Sequence, residues 1–185
     1  MPQSHIIFLN GASSAGKTTL AKALQAVLDR PYFHLSSDQM VEAGALPGRR
    51  EEGGEFSWAS VRPRFFHGFH RSLAAYAGAG NCLVVDHVLE YAPWLTECAA
   101  LLAPFPVFLV GVHCPLAELE RRERARGDRR VGEAEEHLKV VHTFGPYDFE
   151  VDTSVRSPEE NARLIQTALQ DPPTPSAFRR IACAP

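Results

Sequence analysis

Short apolar runs alternate with amphipathic segments along most of the chain. The apolar runs have the length of buried strands and lie at His5–Leu9, Tyr32–Leu35, Cys82–Val85, Val107–Val112 and Phe149–Val151. Between them, apolar residues recur at the three- and four-residue spacing of amphipathic helices. The predicted helices are Gly16–Leu28, Asp38–Ala43, Val61–Ala77, Pro93–Leu102, Pro115–Arg126, Gly132–His142 and Pro158–Leu169. This alternation predicts one α/β domain whose parallel sheet is covered by helices on both faces.

The same pattern sets the expected limits of the domain. It spans residues 1–170, and the proline-bearing segment 171–185 is predicted to be a loose tail. Residues Gly44–Ser60 are polar and contain several glycines, which predicts a long loop.

Composition excludes several classes of protein. The 185 residues include 19 Lys and Arg against 22 Asp and Glu, for a formal net charge of −3, so no basic excess favours nucleic acid. No run approaches the roughly 18 apolar residues of a membrane span, and no membrane partner is expected. The four cysteines lack C-x-x-C spacing, which favours reduced thiols in the cytoplasm. The sequence does not exclude a homo-oligomer.

A phosphate-binding pattern follows the first predicted strand. Residues 11–18 read Gly-Ala-Ser-Ser-Ala-Gly-Lys-Thr and match G-x-x-x-x-G-K-[ST], with a helix predicted after them. In such a loop, backbone amides surround phosphate oxygens, Lys17 contacts the β- and γ-phosphates, and Thr18 binds Mg²⁺. The predicted nucleotide-binding residues are Gly11, Ala12, Ser13, Ser14, Ala15, Gly16, Lys17, Thr18 and Thr19. The alternative is a glycine-serine turn that caps a helix and leaves Lys17 solvated, but the strand and helix around the pattern favour ATP and Mg²⁺.

Two aspartates follow predicted strands, where open α/β sheets bind ligands. Asp86 ends the run Leu83-Val84-Val85 and is predicted to bind Mg²⁺ together with Thr18. The alternative for Asp86 is an acid that only stops the strand. Asp38 could accept the proton of a hydroxyl group as a general base. Ser36 and Gln39 equally fit a capping box in which Asp38 only favours the helix dipole, and the pattern alone leaves both interpretations open.

An arginine-rich segment follows, and a glycine divides it. Arg121 and Arg124 have acidic neighbours at helical spacing and are interpreted as surface salt bridges. Gly127 breaks the helix and leaves the arginines on both sides of it on a predicted lid, which would neutralise charge on the transferring phosphoryl group. The predicted catalytic lid residues are Arg126, Arg129 and Arg130, which act beside Asp38 and Lys17.

Six segments together resemble the chloramphenicol phosphotransferase family in order and spacing, over the whole chain except the tail. They are Asn10–Thr18, Asp38 with Glu42-Ala43, Val84–Val88 around Asp86, Arg124–Arg129, Val140–His142 and Tyr147–Thr153. The resemblance implies the single-domain P-loop kinase fold, with a five-stranded parallel sheet and the arginine-bearing lid. It also implies transfer of the γ-phosphoryl group of ATP to a primary hydroxyl of the antibiotic, with Asp38 as the proposed base.

Two departures from the family concern the acceptor. The family has a second acid after the strand-end aspartate, where this chain has His87, and Gly44–Phe69 matches poorly. This divergent stretch and its flank bring many basic side chains: Arg49, Arg50, Arg62, Arg64, His67, His70 and Arg71. They predict an anionic or strongly polar acceptor, and chloramphenicol as a poor substrate or none. His67 and His70 lack a third ligand at metal spacing and are interpreted as a polar face or pocket lining.

The predicted function is therefore an ATP-dependent O-phosphotransferase acting on a small-molecule hydroxyl, in an antibiotic or a related metabolite. Two alternatives remain. One is a metabolite or nucleoside kinase of the shikimate or gluconate kinase type with the same machinery. The other is a nucleotide-binding regulatory switch without an acceptor.

Overall fold

Five parallel strands form a single sheet over the residues that the computed structural model describes, which are 4–46, 54, 57–126 and 132–183. The strands are β1 (Ile6–Asn10), β2 (Tyr32–Ser36), β3 (Cys82–His87), β4 (Val107–His113) and β5 (Phe149–Asp152). Their order across the sheet is β2-β3-β1-β4-β5. The predicted five-stranded parallel sheet is confirmed.

Helices connect the strands. They are α1 (Lys17–Val27), α2 (Ser37–Glu42), α3 (Trp58–Gly78), α4 (Ala92–Leu102), α5 (Leu116–Arg126), α6 (Glu133–Leu138), α7 (Pro158–Ala168) and α8 (Ala177–Ala182). Helix α3 begins inside the stretch predicted as loop. Helix α6 ends earlier than predicted because the chain turns there: the amides of Val140 and Val141 both donate to the carbonyl of His137.

The core has two halves, one on each face of the sheet. Successive side chains of a strand point to opposite faces, so Ile7 and Leu9 of β1 pack with Leu20 and Leu24 of α1. On the other face Phe8 packs with residues of α3, α4 and α8. Both halves consist of side chains with almost no exposure, which fits strands that are apolar throughout.

The end of the chain differs from the prediction of a loose tail. Residues Ala177–Ala182 form α8, and Phe178 is only 2% exposed, with its ring centroid 5.4 Å from that of Phe8. The amide of Ala177 donates to Asp148 Oδ1 at 2.6 Å, which fixes the start of the helix. The tail prediction is therefore wrong for this segment, because one buried aromatic side chain attaches it to the core.

The strand order places β1 at the centre of the sheet, with β3 and β2 on one side and β4 and β5 on the other. The order of the strands therefore reverses at β1. Ligands of open α/β sheets bind at the carboxyl ends of strands near such a reversal. The segment after β1 therefore lies where a ligand is expected. Among the described residues, no helix is both long and apolar enough to cross a membrane.

Candidate active site

The phosphate-binding pattern forms the connection from β1 to α1, and its two glycines are needed for different reasons. Gly16 precedes the helix with φ 86°, a conformation that side chains disfavour. Gly11 has no positive φ but lies against β4, where an added Cβ would be 2.4 Å from the backbone oxygen of Val112. The loop therefore requires one glycine for its backbone conformation and the other for space.

Lys17, Thr18 and Asp86 come together at the start of α1. The hydroxyl of Thr18 donates to Asp86 Oδ2 at 2.6 Å, and Lys17 Nζ lies 3.9 Å from Asp86 Oδ1. Lys17 Nζ also donates to the carbonyl of Ala12 at 2.9 Å and is buried. The interpretation of Lys17 as a solvated side chain is therefore wrong. A cation and a hydroxyl group instead converge on one carboxylate at the edge of the sheet.

Asp86 stays ionised although it is buried. Burial alone would raise its pKa, but the nearby His34, the charge of Lys17 and the hydrogen bond from Thr18 together lower it below the usual value. Gln39 Nε2 donates to His34 Nδ1 at 3.1 Å and so orients this ring, whose Nε2 lies 3.6 Å from Asp86 Oδ2.

A second set of contacts, which sequence reasoning missed, holds the outer side of the loop. Thr153 Oγ1 donates to the carbonyl of Ala15 at 2.8 Å. Arg122 donates to the backbone oxygen of Thr153 at 2.9 Å, to its Oγ1 at 3.1 Å and to the carbonyl of Ser14 at 3.5 Å. Arg122 therefore ties α5 and the end of β5 to the loop. The Tyr147–Thr153 segment of the family resemblance was the available signal.

A cavity of about 440 Å³ opens beside the loop. Its described lining combines loop residues with Asp38, Asp86 and the arginine-rich helix α5. The lining residues outside the loop and α1 are Asp38, Asp86, Arg121, Arg122, Ala125, Arg126, Thr153, Arg156 and Pro158. The arginine side chains, Lys17 and the N-terminus of α1 all favour the binding of phosphate groups. We therefore refer to this space as the nucleotide cavity.

A second cavity of about 580 Å³ adjoins the first, and we refer to it as the acceptor cavity. Asp38 and Asp86 line both cavities. The other described lining residues are Ser37, Trp58, Arg62, Phe66, His87, Val88, Glu90, Tyr91, Glu133, Glu136, His137 and Val140. Two aspartates thus lie where the two spaces meet.

The surroundings of Asp38 bear on the capping-box alternative. Ser36 precedes α2 but makes no side-chain hydrogen bond to the helix, and Gln39 instead contacts His34. The capping box is therefore not formed. Asp38 lies in the first turn of α2 and lines both cavities, as the general-base interpretation requires.

The predicted basic wall of the acceptor site is not present among the described residues. Of the seven side chains, only Arg62 lines the acceptor cavity, and Arg49 and Arg50 lie outside the described residues. Arg62 donates to Glu90 Oε2 at 2.6 Å and to the Tyr91 hydroxyl at 3.0 Å, and its guanidinium carbon lies 5.0 Å from the Trp94 ring. Glu90 neutralises this arginine, so its charge gives no reason to expect an anionic acceptor.

The arginine-rich segment is described only up to Arg126, so the predicted helix break at Gly127 lies outside the described residues. Arg121 pairs with Glu118 at 2.7 Å and Arg124 with Glu120 at 3.7 Å, as predicted for salt bridges within the helix, but Arg121 also lines the nucleotide cavity. Arg126 ends α5 and lines the nucleotide cavity. Arg129 and Arg130 lie outside the described residues. Over the described part of the chain, there is no group of three or more His, Cys, Asp or Glu residues that could hold a metal ion.

Solved structures share this fold at low sequence identity. The Mycobacterium tuberculosis APS kinase CysC, in complex with AMPPNP and APS, has a TM-score of 0.70 and 18% identity over 92% of this chain and 100% of that chain. The Deinococcus radiodurans tunicamycin resistance protein has a TM-score of 0.62 and 22% identity, covering 90% and 95%. The Aquifex aeolicus shikimate kinase has a TM-score of 0.60 and 18% identity, covering 89% and 96%. The fold is that of the P-loop kinases.

Sequence comparison defines the family within this class. A model described as chloramphenicol phosphotransferase-like protein matches residues 4–170. A Mycobacterium tuberculosis H37Rv protein named "Putative O-phosphotransferase Rv2636" is 32% identical over 98% of this chain and 89% of its own length. The chain belongs to the chloramphenicol phosphotransferase-like family, as its motifs predict.

Replacing Arg122 by lysine tests the anchor of the phosphate loop. Lysine keeps the charge but lacks the planar fork of donors with which Arg122 contacts Glu118, Ser14 and Thr153, so we expect affinity for a non-hydrolysable ATP analogue to fall about tenfold. Isothermal titration calorimetry measures this change. Arg124→Lys is the matched control, because Arg124 lies on the same helix and forms a salt bridge with Glu120 on the helix surface. The affinity of this variant for the ATP analogue should equal that of the wild type. Unchanged affinity in Arg122→Lys would show that the loop does not need this anchor.

Proposed function

We propose that this protein transfers the γ-phosphoryl group of ATP to a hydroxyl group of a small molecule. The observation that carries the proposal is the position of Asp38 and Asp86, which line the nucleotide cavity and the acceptor cavity together. Phosphoryl transfer needs the nucleophile and the γ-phosphate in line at one point, with charge stabilisation around them. Two adjoining cavities that share carboxylates supply such a point.

The nucleotide side would bind the phosphates and a metal ion. Lys17 already lies beside Asp86 at the start of α1, where it would contact the β- and γ-phosphates. Thr18 and Asp86 present oxygen atoms 2.6 Å apart, and Asp86 is held ionised, so this pair suits Mg²⁺. When bound there, Mg²⁺ would neutralise charge on the β- and γ-phosphate oxygens.

The acceptor side would hold the hydroxyl and receive its proton. Asp38 would accept the proton as the oxygen attacks phosphorus, and the bond from the γ-phosphorus to the bridging oxygen of ADP would break. Trp58, Phe66 and Tyr91 give the cavity an aromatic portion that suits a compact, partly apolar molecule. Hydroxylated antibiotics or related metabolites fit this description. With Arg62 neutralised by Glu90, the prediction that chloramphenicol is a poor substrate loses its support from charge, and the acceptor panel tests it.

The nearest rival is a metabolite or nucleoside kinase, which would use the same residues on a different acceptor. The name of the Mycobacterium tuberculosis relative and the family match favour O-phosphotransfer without distinguishing between acceptors. A regulatory switch without an acceptor is disfavoured, because it gives no reason for a second cavity lined by Asp38.

A panel of acceptors, scored by ADP release, tests the function. We expect ADP release above the ATPase background with at least one hydroxyl compound, and a phosphate monoester of that compound by ³¹P NMR. The panel contains chloramphenicol, other hydroxylated antibiotics, sugar acids, nucleosides, diols and amino alcohols. ATP binding with no acceptor-dependent turnover across the panel would favour the regulatory switch.

Changing Asp38 to asparagine tests the proposed base. Asparagine keeps the shape and hydrogen bonding but removes the basic group, so kcat should fall roughly 100-fold while affinity for ATP changes little. Steady-state kinetics with the best acceptor gives both values. Glu42→Gln is the control, since Glu42 is an exposed acid on the same helix. Normal turnover with a lowered melting temperature in Asp38→Asn would mean that Asp38 only stabilises α2.

The lid arginines are proposed to act in the transition state. Arg126 lines the nucleotide cavity, and Arg129 follows the glycine that was predicted to end the helix. Replacing either by alanine should lower kcat more than it raises KM for ATP, because their charge is most useful on the transferring group. Arg124→Ala on the exposed side of α5 provides the comparison. If both kinetic constants stay at wild-type values, the segment is only part of the surface.

A further inference from the structure

One side chain of helix α6 contacts the phosphate loop and also lines the acceptor cavity. The amide of Ser13 in the loop donates to His137 Nδ1 at 3.3 Å, and this contact is buried. His137 is only 8% exposed, and it lines the acceptor cavity together with Glu90 and Glu133. A single imidazole therefore joins the backbone of the nucleotide site to the wall of the acceptor site.

The direction of the hydrogen bond between Ser13 and His137 is fixed by the backbone. An amide N–H can only donate, so His137 Nδ1 accepts and carries no proton while this contact is made. The ring proton is then on Nε2, on the other side of the imidazole. Nε2 lies 3.7 Å from Glu90 Oε1 and 3.9 Å from Glu133 Oε1, so this side of the ring faces two acids of the acceptor cavity.

Helix α6 holds the imidazole in place because the helix is fixed at both ends. At its start, the two carboxylate oxygens of Glu123 accept from the amides of Gly132 at 2.8 Å and Ala134 at 2.9 Å. Beyond its end, Asn10 Nδ2 donates to the carbonyl of Val141 at 2.8 Å, and Asn10 directly precedes the phosphate loop. The distance between the loop and the imidazole is therefore set by the fold.

Glu90 extends the contact along the acceptor cavity. Its Oε1 faces His137, and its Oε2 accepts from Arg62 at 2.6 Å. The guanidinium carbon of Arg62 lies 5.2 Å from the ring centroid of Phe66 and 5.0 Å from that of Trp94. Arg62, Glu90 and His137 thus form one continuous wall of the acceptor cavity, and His137 joins this wall to the phosphate loop.

We propose that His137 is a positioning residue that couples the two cavities. By accepting from Ser13, it holds the phosphate loop in the conformation that binds ATP. An acceptor molecule that packs against His137 and Glu90 restrains the same imidazole, so each substrate favours the binding of the other. The effect must be equal in both directions, because it is a difference between binding free energies. This inference rests on the proposed kinase function.

Two substitutions of His137 separate the roles of its two nitrogen atoms. Asparagine can place its side-chain oxygen where Nδ1 stands and still accept from Ser13, but it has no atom at the position of Nε2. Glutamine reaches the position of Nε2 and deprives Ser13 of this acceptor. We expect His137→Gln to bind a non-hydrolysable ATP analogue about fivefold more weakly, and His137→Asn to bind it like the wild type. Isothermal titration calorimetry without any acceptor measures both affinities.

Lys139→Gln is the control for these affinities. Lys139 directly follows α6, is exposed and pairs with Glu135 at 2.8 Å, so the variant should keep the wild-type affinity. Wild-type affinity in His137→Gln, or an equal loss in His137→Asn and His137→Gln, would overturn the inference. The second outcome would mean that His137 only stabilises the fold, and thermal melting of each variant would show this as a lowered melting temperature.

The best acceptor of the panel tests the coupling itself. With this acceptor at saturation, the wild type should bind the ATP analogue about fivefold more tightly than without it, and Lys139→Gln should show the same gain. His137→Asn should show little gain, because it keeps the contact with Ser13 and lacks the nitrogen atom that faces Glu90. In the wild type, saturation with the ATP analogue should raise the affinity for the acceptor by the same factor.

The outcomes distinguish the coupling from the proposed function. No gain in the wild type with an acceptor that is phosphorylated, or a full gain in His137→Asn, would overturn the inference while the kinase function stands. If no acceptor is phosphorylated, the proposed function fails instead. The affinities measured without an acceptor then still decide whether His137 holds the phosphate loop.

Discussion

The candidate site depends on one buried carboxylate, that of Asp86. An ionised group away from water is stable only if hydrogen bonds and opposite charge replace its hydration. Thr18, Lys17 and His34 provide these, and they come from α1 and β2, on either side of Asp86 in the fold. The need to compensate this charge therefore fixes the start of α1 against the end of β3, and with it the position of the phosphate loop.

The last two residues of β3, Asp86 and His87, point to opposite faces of the sheet. Neighbouring residues of a strand point in opposite directions, so Asp86 contacts the start of α1 while His87 faces α3 and α4. His87 packs 5.2 Å from Phe69 and nearly parallel to Trp94. An acid at this position would need its own compensating charge among these aromatic rings. A histidine avoids that cost, because burial holds its pKa well below the usual value.

The features that were predictable from sequence are local ones. The phosphate loop, the strand-end Asp86 and the alternation of strands and helices each depend on residues close together in the chain. The features that were missed depend on distant contacts, since Arg122 reaches Thr153 and Ser14, and Phe178 packs on Phe8. Four prolines in the segment 171–185 indicate a loose tail, and no local pattern shows that one of its aromatic rings is buried.

Arg62 shows why the acceptor was harder to infer than the reaction. Counting basic residues in the divergent stretch favours an anionic substrate, but the effect of a charge depends on what surrounds it. Arg62 is paired with Glu90 and enclosed by aromatic rings, so its charge is already satisfied before any substrate binds.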